Sequence, residues 1–156
     1  MRRGRLQIHP RVAVVALIFV LAMNFACRSN DLQDGFYARF LTDKAEYKQG
    51  EAIQLQLLLR NENKDPMTLT FASSQKYDFW VQDPGGNEVW RWSASRVFLA
   101  VITHVDIMPG ATIEFAETWD PLNDEGTAVP PGSYTIHAGI LIADAPRIDP
   151  VTVAIR

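Results

Sequence analysis

The chain has 156 residues, a single cysteine and a formal net charge of −3. That length fits one domain plus appendages, the lone cysteine excludes a disulfide framework, and no basic patch is left in the body of the chain to serve a nucleic acid. Setting aside the four arginines near the start, 11 basic residues face 18 acidic ones, a balance of about −7.

The first residues differ from all that follow. Arg2, Arg3, Arg5 and Arg11 precede an apolar run over residues 12–23, which passes through Asn24-Phe25-Ala26-Cys27 into the polar Arg28-Ser29-Asn30-Asp31. A basic start, a short apolar run and a small residue before a cleavage point describe an export signal. The run is shorter than the roughly 20 residues of a membrane span, although continuing it through Phe25 and Ala26 keeps an uncleaved anchor open. Cys27 stands where a bacterial lipoprotein signal places its lipidated cysteine; Ala26 fits that pattern, and Asn24 departs from its usual leucine. The expected organisation is a signal or membrane anchor over 1–27, a tether over 28–35 and a domain over 36–156. The expected location is the bacterial cell envelope, outside the cytoplasm and membrane-anchored, with a secreted form as the alternative.

The domain reads as strands in succession. Residues 36–41 alternate loosely and 43–50 read as a connection. Ile53, Leu55, Leu57 and Leu59 then alternate with Gln54, Gln56, Leu58 and Arg60, the period of a strand with one buried face. Glutamine and leucine are also good helix formers, but the segment is short and is closed by Asn61-Glu62-Asn63-Lys64-Asp65-Pro66. Met67, Leu69 and Phe71 give a further strand. Residues 77–82 and 88–92 flank Asp83-Pro84-Gly85-Gly86-Asn87, in which proline pre-sets the turn and glycine accepts a positive φ, so the pair reads as a hairpin. Strands are expected over 97–104 and 112–119. After a polar loop over 120–129 and the turn Pro130-Pro131-Gly132, Tyr134, Ile136, Ala138 and Ile140 alternate again, and Val151, Val153 and Ile155 close the chain. Short strands punctuated by proline and glycine predict an all-β fold, an immunoglobulin-like antiparallel β-sandwich of about eight strands.

Catalytic signatures are absent. No serine lies in a Gly-x-Ser-x-Gly turn, and His104 and His137 are the only imidazoles the domain offers, both on predicted strands. Zinc-ligand spacing is missing, the loop around Asp120, Asp124 and Glu125 does not match a calcium loop, and Gly85-Gly86 leads into a strand, not a helix that could cradle phosphate. No enzyme, metal or cofactor is expected.

The aromatic hairpin carries the remaining signal. If the loop is Pro84-Gly85, Phe79 faces Trp90 and Tyr77 faces Trp92; if it is all of 83–87, Trp80 faces Trp90 and Asp78 faces Trp92. Either register puts large aromatics on both faces. One face packs on the core, and the other is covered by residues 28–41 and 93–97 or left as an exposed patch of the kind that binds partners. Tyr77, Trp80, Trp90, Trp92, Ser93 and Arg96 are the candidate binding residues, against the plain alternative that every ring is core.

Residues 61–98, NENKDPMTLTFASSQKYDFWVQDPGGNEVWRWSASRVF, resemble the intracellular proteinase inhibitor (BsuPI-type) family of bacilli. The likeness rests on an asparagine ending a leucine-rich strand, Tyr-Asp-Phe, and Val-Trp-Arg-Trp-Ser after a glycine turn. It continues in MPGATIEFAETWD and PPGSYTIHAGI, and so covers roughly 51–142. The resemblance implies a small immunoglobulin-like sandwich that binds and inhibits serine proteinases. Residues 93–96 or the acidic loop after Trp119 could be what it presents. The N-terminal segment departs from the cytoplasmic setting in the family's name and predicts an exported form, whose partner would be a serine proteinase or another envelope protein. The alternative is a non-inhibitory protein- or glycan-binding module of the envelope that uses the hairpin aromatics.

Overall fold

A computed structural model describes residues 35–156. The expected signal or anchor, Cys27 and almost all of the tether lie outside the described residues. The chain forms ten strands: β1 (Phe36–Thr42), β2 (Glu46–Tyr47), β3 (Ile53–Asn61), β4 (Met67–Phe71), β5 (Tyr77–Gln82), β6 (Glu88–Arg91), β7 (Thr103–Ile107), β8 (Thr112–Trp119), β9 (Gly132–Ile140) and β10 (Val151–Ile155). No helix occurs among the described residues.

Two sheets face each other, one in the order β1-β3-β8 and one in the order β2-β10-β9-β5-β6, while β4 and β7 form a separate ribbon. Alternation explains the layers. In β3, Ile53, Leu55, Leu57 and Leu59 are fully buried while the intervening glutamines face water. Phe79 and Val81 of β5 and Tyr134 and Ile136 of β9 supply the opposite wall. Rings meet across the gap, Phe40 against Phe79 at 5.6 Å and Trp119 against Tyr134 at 6.0 Å. The expected immunoglobulin-like sandwich is therefore the observed architecture, with one parallel pairing, β2 with β10, in an otherwise antiparallel set.

Two expectations need correction. The connection over 43–50 contains β2, whose residues pair with Ala154 and Ile155 at the far end of the chain. The predicted strand over 97–104 begins only at Thr103, because the β4–β7 ladder starts at the pair Phe71 and Thr103. Beyond that pair β4 gives way to a turn, and residues 97–102 have no ladder partner.

Two polar side chains fasten turns at the edge of the sandwich core. Asn61 is fully buried and fully used: its Nδ2 donates to the carbonyls of Asp65 and Ile107, both at 2.8 Å, and its Oδ1 accepts from the Asn63 amide at 2.9 Å. Its backbone accepts from Gly110 and donates to Ala111, so the turn after β7 is fastened to the end of β3. At the opposite turn the Tyr134 hydroxyl donates to the Pro130 carbonyl at 2.7 Å, the contact of a tyrosine corner. The Asn61→Ala substitution strands buried carbonyl and amide groups and should lower unfolding free energy by about 2–4 kcal/mol, read as a shift in the urea midpoint with an unchanged slope.

Candidate functional site

The hairpin starts from its turn. The Gly86 amide donates to the Asp83 carbonyl at 2.9 Å and Gly86 takes φ of +83°, while the Asp83 carboxylate accepts from the amides of Gly85 and Asn87. Gln82 then pairs with Glu88, as a five-residue loop requires, but Val81 pairs with Trp90 and Trp80 with Arg91. Val89 is thus an extra residue, a β-bulge. Neither predicted register survives. Relative to the five-residue loop, one inserted residue reverses the faces of everything after it, so Trp90 and Trp92 turn inward instead of standing beside Trp80; the Pro84-Gly85 loop placed them on that inward face but two residues out of register.

Asp78 explains why that register is held. It lies on the outer side of β5, yet it is only 6% exposed. Its carboxylate accepts from Arg91 Nη1 and Ser93 Oγ, both at 2.7 Å, and from the amides of Phe79 and Ser93 at 3.0 and 3.2 Å. Arg91 also grips Glu88 through two nitrogens at 2.6 and 2.8 Å, and lies over the Trp80 ring at 5.0 Å. The Glu88 carboxyl is held below its usual range by Arg91. Residues 91 and 93 thus reach Asp78 from one side, and Trp92, between them, points to the other.

Trp92 is buried and stacked on Tyr77 at 4.6 Å. Tyr77 in turn stacks on Phe115 at 4.6 Å and donates to Glu117 Oε1 at 2.5 Å. Burial, and then the bond to Glu117, pushes the Tyr77 hydroxyl well above its ordinary value. The Trp92 Nε1 is buried without a hydrogen-bond partner, so the indole is placed by its faces. Trp90 meets Trp119 at 6.0 Å. Trp80 stands apart on the outer face, parallel to the His137 ring at 5.0 Å. His137 is also hydrogen-bonded with Gln82 at 3.0 Å, and burial pushes its imidazole below the ordinary histidine value.

After Trp92 the chain runs over a groove of about 410 Å³ whose lining includes Trp90, Trp92, Arg96, Thr118, Asp120 and Asn123. Arg96 lies over Trp92, its guanidinium carbon 4.2 Å from the ring centre, and reaches Glu117 at 3.8 Å. Phe98 packs on the same indole at 5.7 Å. Leu99 is tied at both backbone groups to Ser74: its amide donates to Ser74 Oγ and its carbonyl accepts from the Ser74 amide, each at 2.9 Å. Between and beyond these anchors stand exposed apolar side chains, Val97 at 96%, Leu99 at 70%, Val101 at 48% and Ile102 at 66%.

The acidic loop after Trp119 folds back on the hairpin. The Asp124 amide donates to the Val89 carbonyl at 3.0 Å and its Oδ1 accepts from the Arg91 amide at 3.1 Å, which covers the edge of β6. Among the described residues, no group of three or more His, Cys, Asp or Glu side chains could hold a metal ion. Of the six candidate residues, Tyr77, Trp92 and Arg96 form one stack, Trp90 lies on the same inward face, and Ser93, bonded to Asp78, and Trp80 are on the other. Two features escaped sequence reasoning. Asp78 is the hub, for which the signal is a carboxylate inside an aromatic strand with arginine and serine two residues apart downstream. The exposed segment 97–102 looked like a strand because its composition is that of one.

Asp78→Ala should lower stability by about 3 kcal/mol, since a buried carboxylate that accepts several hydrogen bonds, some from a charged group, is lost and its donors are stranded. Asp78→Asn, which keeps the shape, should cost roughly half as much. Urea unfolding followed by tryptophan fluorescence measures both.

No curated protein matches the chain in sequence. Solved structures resemble it weakly. The β-glucosidase EmGH1 of Erythrobacter marinus is 14% identical with a TM-score of 0.47 over 78% of this chain and 15% of its own. The alkylpurine DNA glycosylase AlkC of Pseudomonas fluorescens is 13% identical with a TM-score of 0.48 over 78% and 30%. The CARDB domain of the PF1109 protein of Pyrococcus furiosus is 11% identical with a TM-score of 0.42 over 78% and 87%. The chain thus spans less than a third of the first two proteins, and nothing of their activities is transferred from likenesses at this level. A family profile described as intracellular proteinase inhibitor, BsuPI, matches residues 40–144. Its name overturns the expected extracytoplasmic, membrane-anchored location and points to the cytoplasm; residues 1–27, on which that expectation rested, are outside the described region. The match takes in 105 of 156 residues, and both signature runs, Tyr77-Asp78-Phe79 and Val89-Trp90-Arg91-Trp92-Ser93, fall within it, so the chain belongs to the intracellular proteinase inhibitor family.

Proposed function

We propose that this protein binds and inhibits a serine proteinase, and that the segment between β6 and β7 is the part it presents to the enzyme. The role is one of binding, not catalysis. The observation that carries this reading is the cluster of exposed apolar side chains over 97–102, held in place by the packing of Phe98 on the buried Trp92 and by the hydrogen bonds of Leu99 to Ser74. Singly scattered apolar residues on a surface need no explanation, but a contiguous set marks an interaction site. A proteinase cleft binds chain segments through main-chain hydrogen bonds, with side-chain pockets adding specificity. Among the described residues, the backbone groups of Val97, Ala100 and Ile102 make no hydrogen bond and are available for such pairing. Pre-ordering matters as much as exposure, because a segment already fixed avoids the entropic cost of ordering on binding.

The geometry also explains why the hairpin itself is a support. Tyr77, Trp90 and Trp92 spend their faces on the sandwich. Trp80 is sandwiched between Arg91 and His137. These rings are buried or partly buried, whereas Val97, Leu99 and Ile102 of the segment they carry stand exposed.

The test is a titration of the full chain against a panel of serine proteinases, with a metalloproteinase as control. Stoichiometric loss of serine proteinase activity at micromolar inhibitor, with the metalloproteinase unaffected, is the expected result. No inhibition of any serine proteinase at micromolar concentration would remove this reading.

A further inference from the structure

Val97 has a distinctive position within that segment. Its side chain is 96% exposed, the most of any large apolar residue described. Both chain neighbours are fixed on one indole: the Arg96 guanidinium lies 4.2 Å above Trp92, and the Phe98 ring packs 5.7 Å from it. Arg96 Nε also donates to the Trp92 carbonyl at 3.2 Å. Trp92 is itself backed by Tyr77 and, behind that, Phe115. Val97 is therefore held outward at the crest of a short arch whose two feet rest on a buried tryptophan.

The neighbouring candidates are engaged. Leu99 has its amide and carbonyl both bonded to Ser74, and the carbonyl accepts from Val101 as well. An enzyme cannot use those groups without breaking the anchor. Arg96 is drawn down onto Trp92 and toward Glu117, so it serves as one of the feet of the arch. Val97 alone joins full exposure, unused backbone groups and fixed flanks.

We infer that Val97 is the side chain that enters the specificity pocket of the target proteinase, and that the target takes a small, β-branched apolar residue there. This inference rests on the inhibitory reading above and deepens it. A pocket of that class is filled by three side-chain carbons and excludes a long cation or a carboxylate, which would be buried unpaired. Binding-energy hot spots are side chains seated in such desolvated pockets.

The experiment compares wild type with Val97→Lys, Val97→Asp and a distant exposed control, Met108→Lys. Each is titrated against proteinases whose pockets favour small apolar, large apolar and basic residues. Val97 is so exposed that these changes should leave folding intact, which circular dichroism and urea midpoints check. Wild type and Met108→Lys should inhibit the small-apolar enzyme best. Val97→Asp should lose about 100-fold or more, and Val97→Lys should lose a similar factor there while gaining inhibition of the basic-specific enzyme. If wild type inhibits and both Val97 variants inhibit equally well with unchanged preference, this assignment is wrong and the inhibitory reading stands. If wild type inhibits none of the enzymes, both fall together.

Discussion

The carboxylate of Asp78 is the constraint on which the hairpin, and through it the presented surface, depends. A charge nearly removed from water must be surrounded by donors or it costs several kcal/mol. In this fold the donors come from the end of β6 and the second residue beyond it, Arg91, and Ser93 through hydroxyl and amide, beside the Phe79 amide of β5 itself. In the register of a five-residue loop without a bulge, Arg91 and Ser93 would face the core, and the bulge at Val89 slides the second strand by the one position that puts them on the side of Asp78. The slide turns Trp90 and Trp92 inward, where they close the side of the sandwich between β6 and β8 against Trp119, Tyr77 and Phe115. One buried polar group thus chooses the register, and the register chooses which rings are core.

The signature runs of the family acquire separate jobs from this arrangement. Tyr77 and Phe79 face the core while Asp78 faces the donors. Val89 is the inserted residue. Trp90 and Trp92 are walls, and Arg91 and Ser93 are the ties. Ring contacts of this kind contribute about 0.5–1.5 kcal/mol each, and the Arg96 contact adds about 0.5–1 kcal/mol. The sum is enough to hold a short arch in place but small beside the hydrophobic burial of β3 and β9. That division suits a binding surface: the sandwich supplies stability, and the Trp92 stack supplies placement. Asn61 and Tyr134 are buried residues whose polar groups only fasten turns, which separates structural polar residues from those that shape the site.

Much of the sandwich was legible in the sequence. β3 and β9 alternate with period two for as long as they are buried on one face, and the Asp-Pro-Gly-Gly-Asn turn carries its geometry in its residues. What escaped reading has physical causes. A β-bulge has no compositional mark, so neither simple register of the hairpin gave the pairing: the five-residue loop was off by the one residue that reverses the faces, and the two-residue loop kept the faces but was off by two. β2 exists because Glu46 and Tyr47 meet the last strand about 110 residues away, a contact that no local pattern encodes. Residues 97–102 have strand composition, yet β4 ends before it can pair with them; the ladder partner is missing, not the propensity. The same gap is what leaves Val97 and Leu99 exposed. Among the site residues, Ser93 and Arg96 were found by their place after the motif, whereas Asp78 was passed over as one polar residue among aromatics.

The segment after β6 is held by the Trp92 stack and the Ser74 anchor, not draped loosely on the surface. Amide hydrogen exchange at Leu99 and Trp92 reads this directly. The Trp92 amide donates to the Phe79 carbonyl and the Leu99 amide to Ser74 Oγ, each at 2.9 Å. In the native protein both amides should exchange far more slowly than in an unstructured peptide. In a Trp92→Leu variant Leu99 should lose most of its protection while Leu57, in the centre of β3, keeps its own. Exchange of the Leu99 amide at the unprotected rate in the wild-type protein would contradict the account.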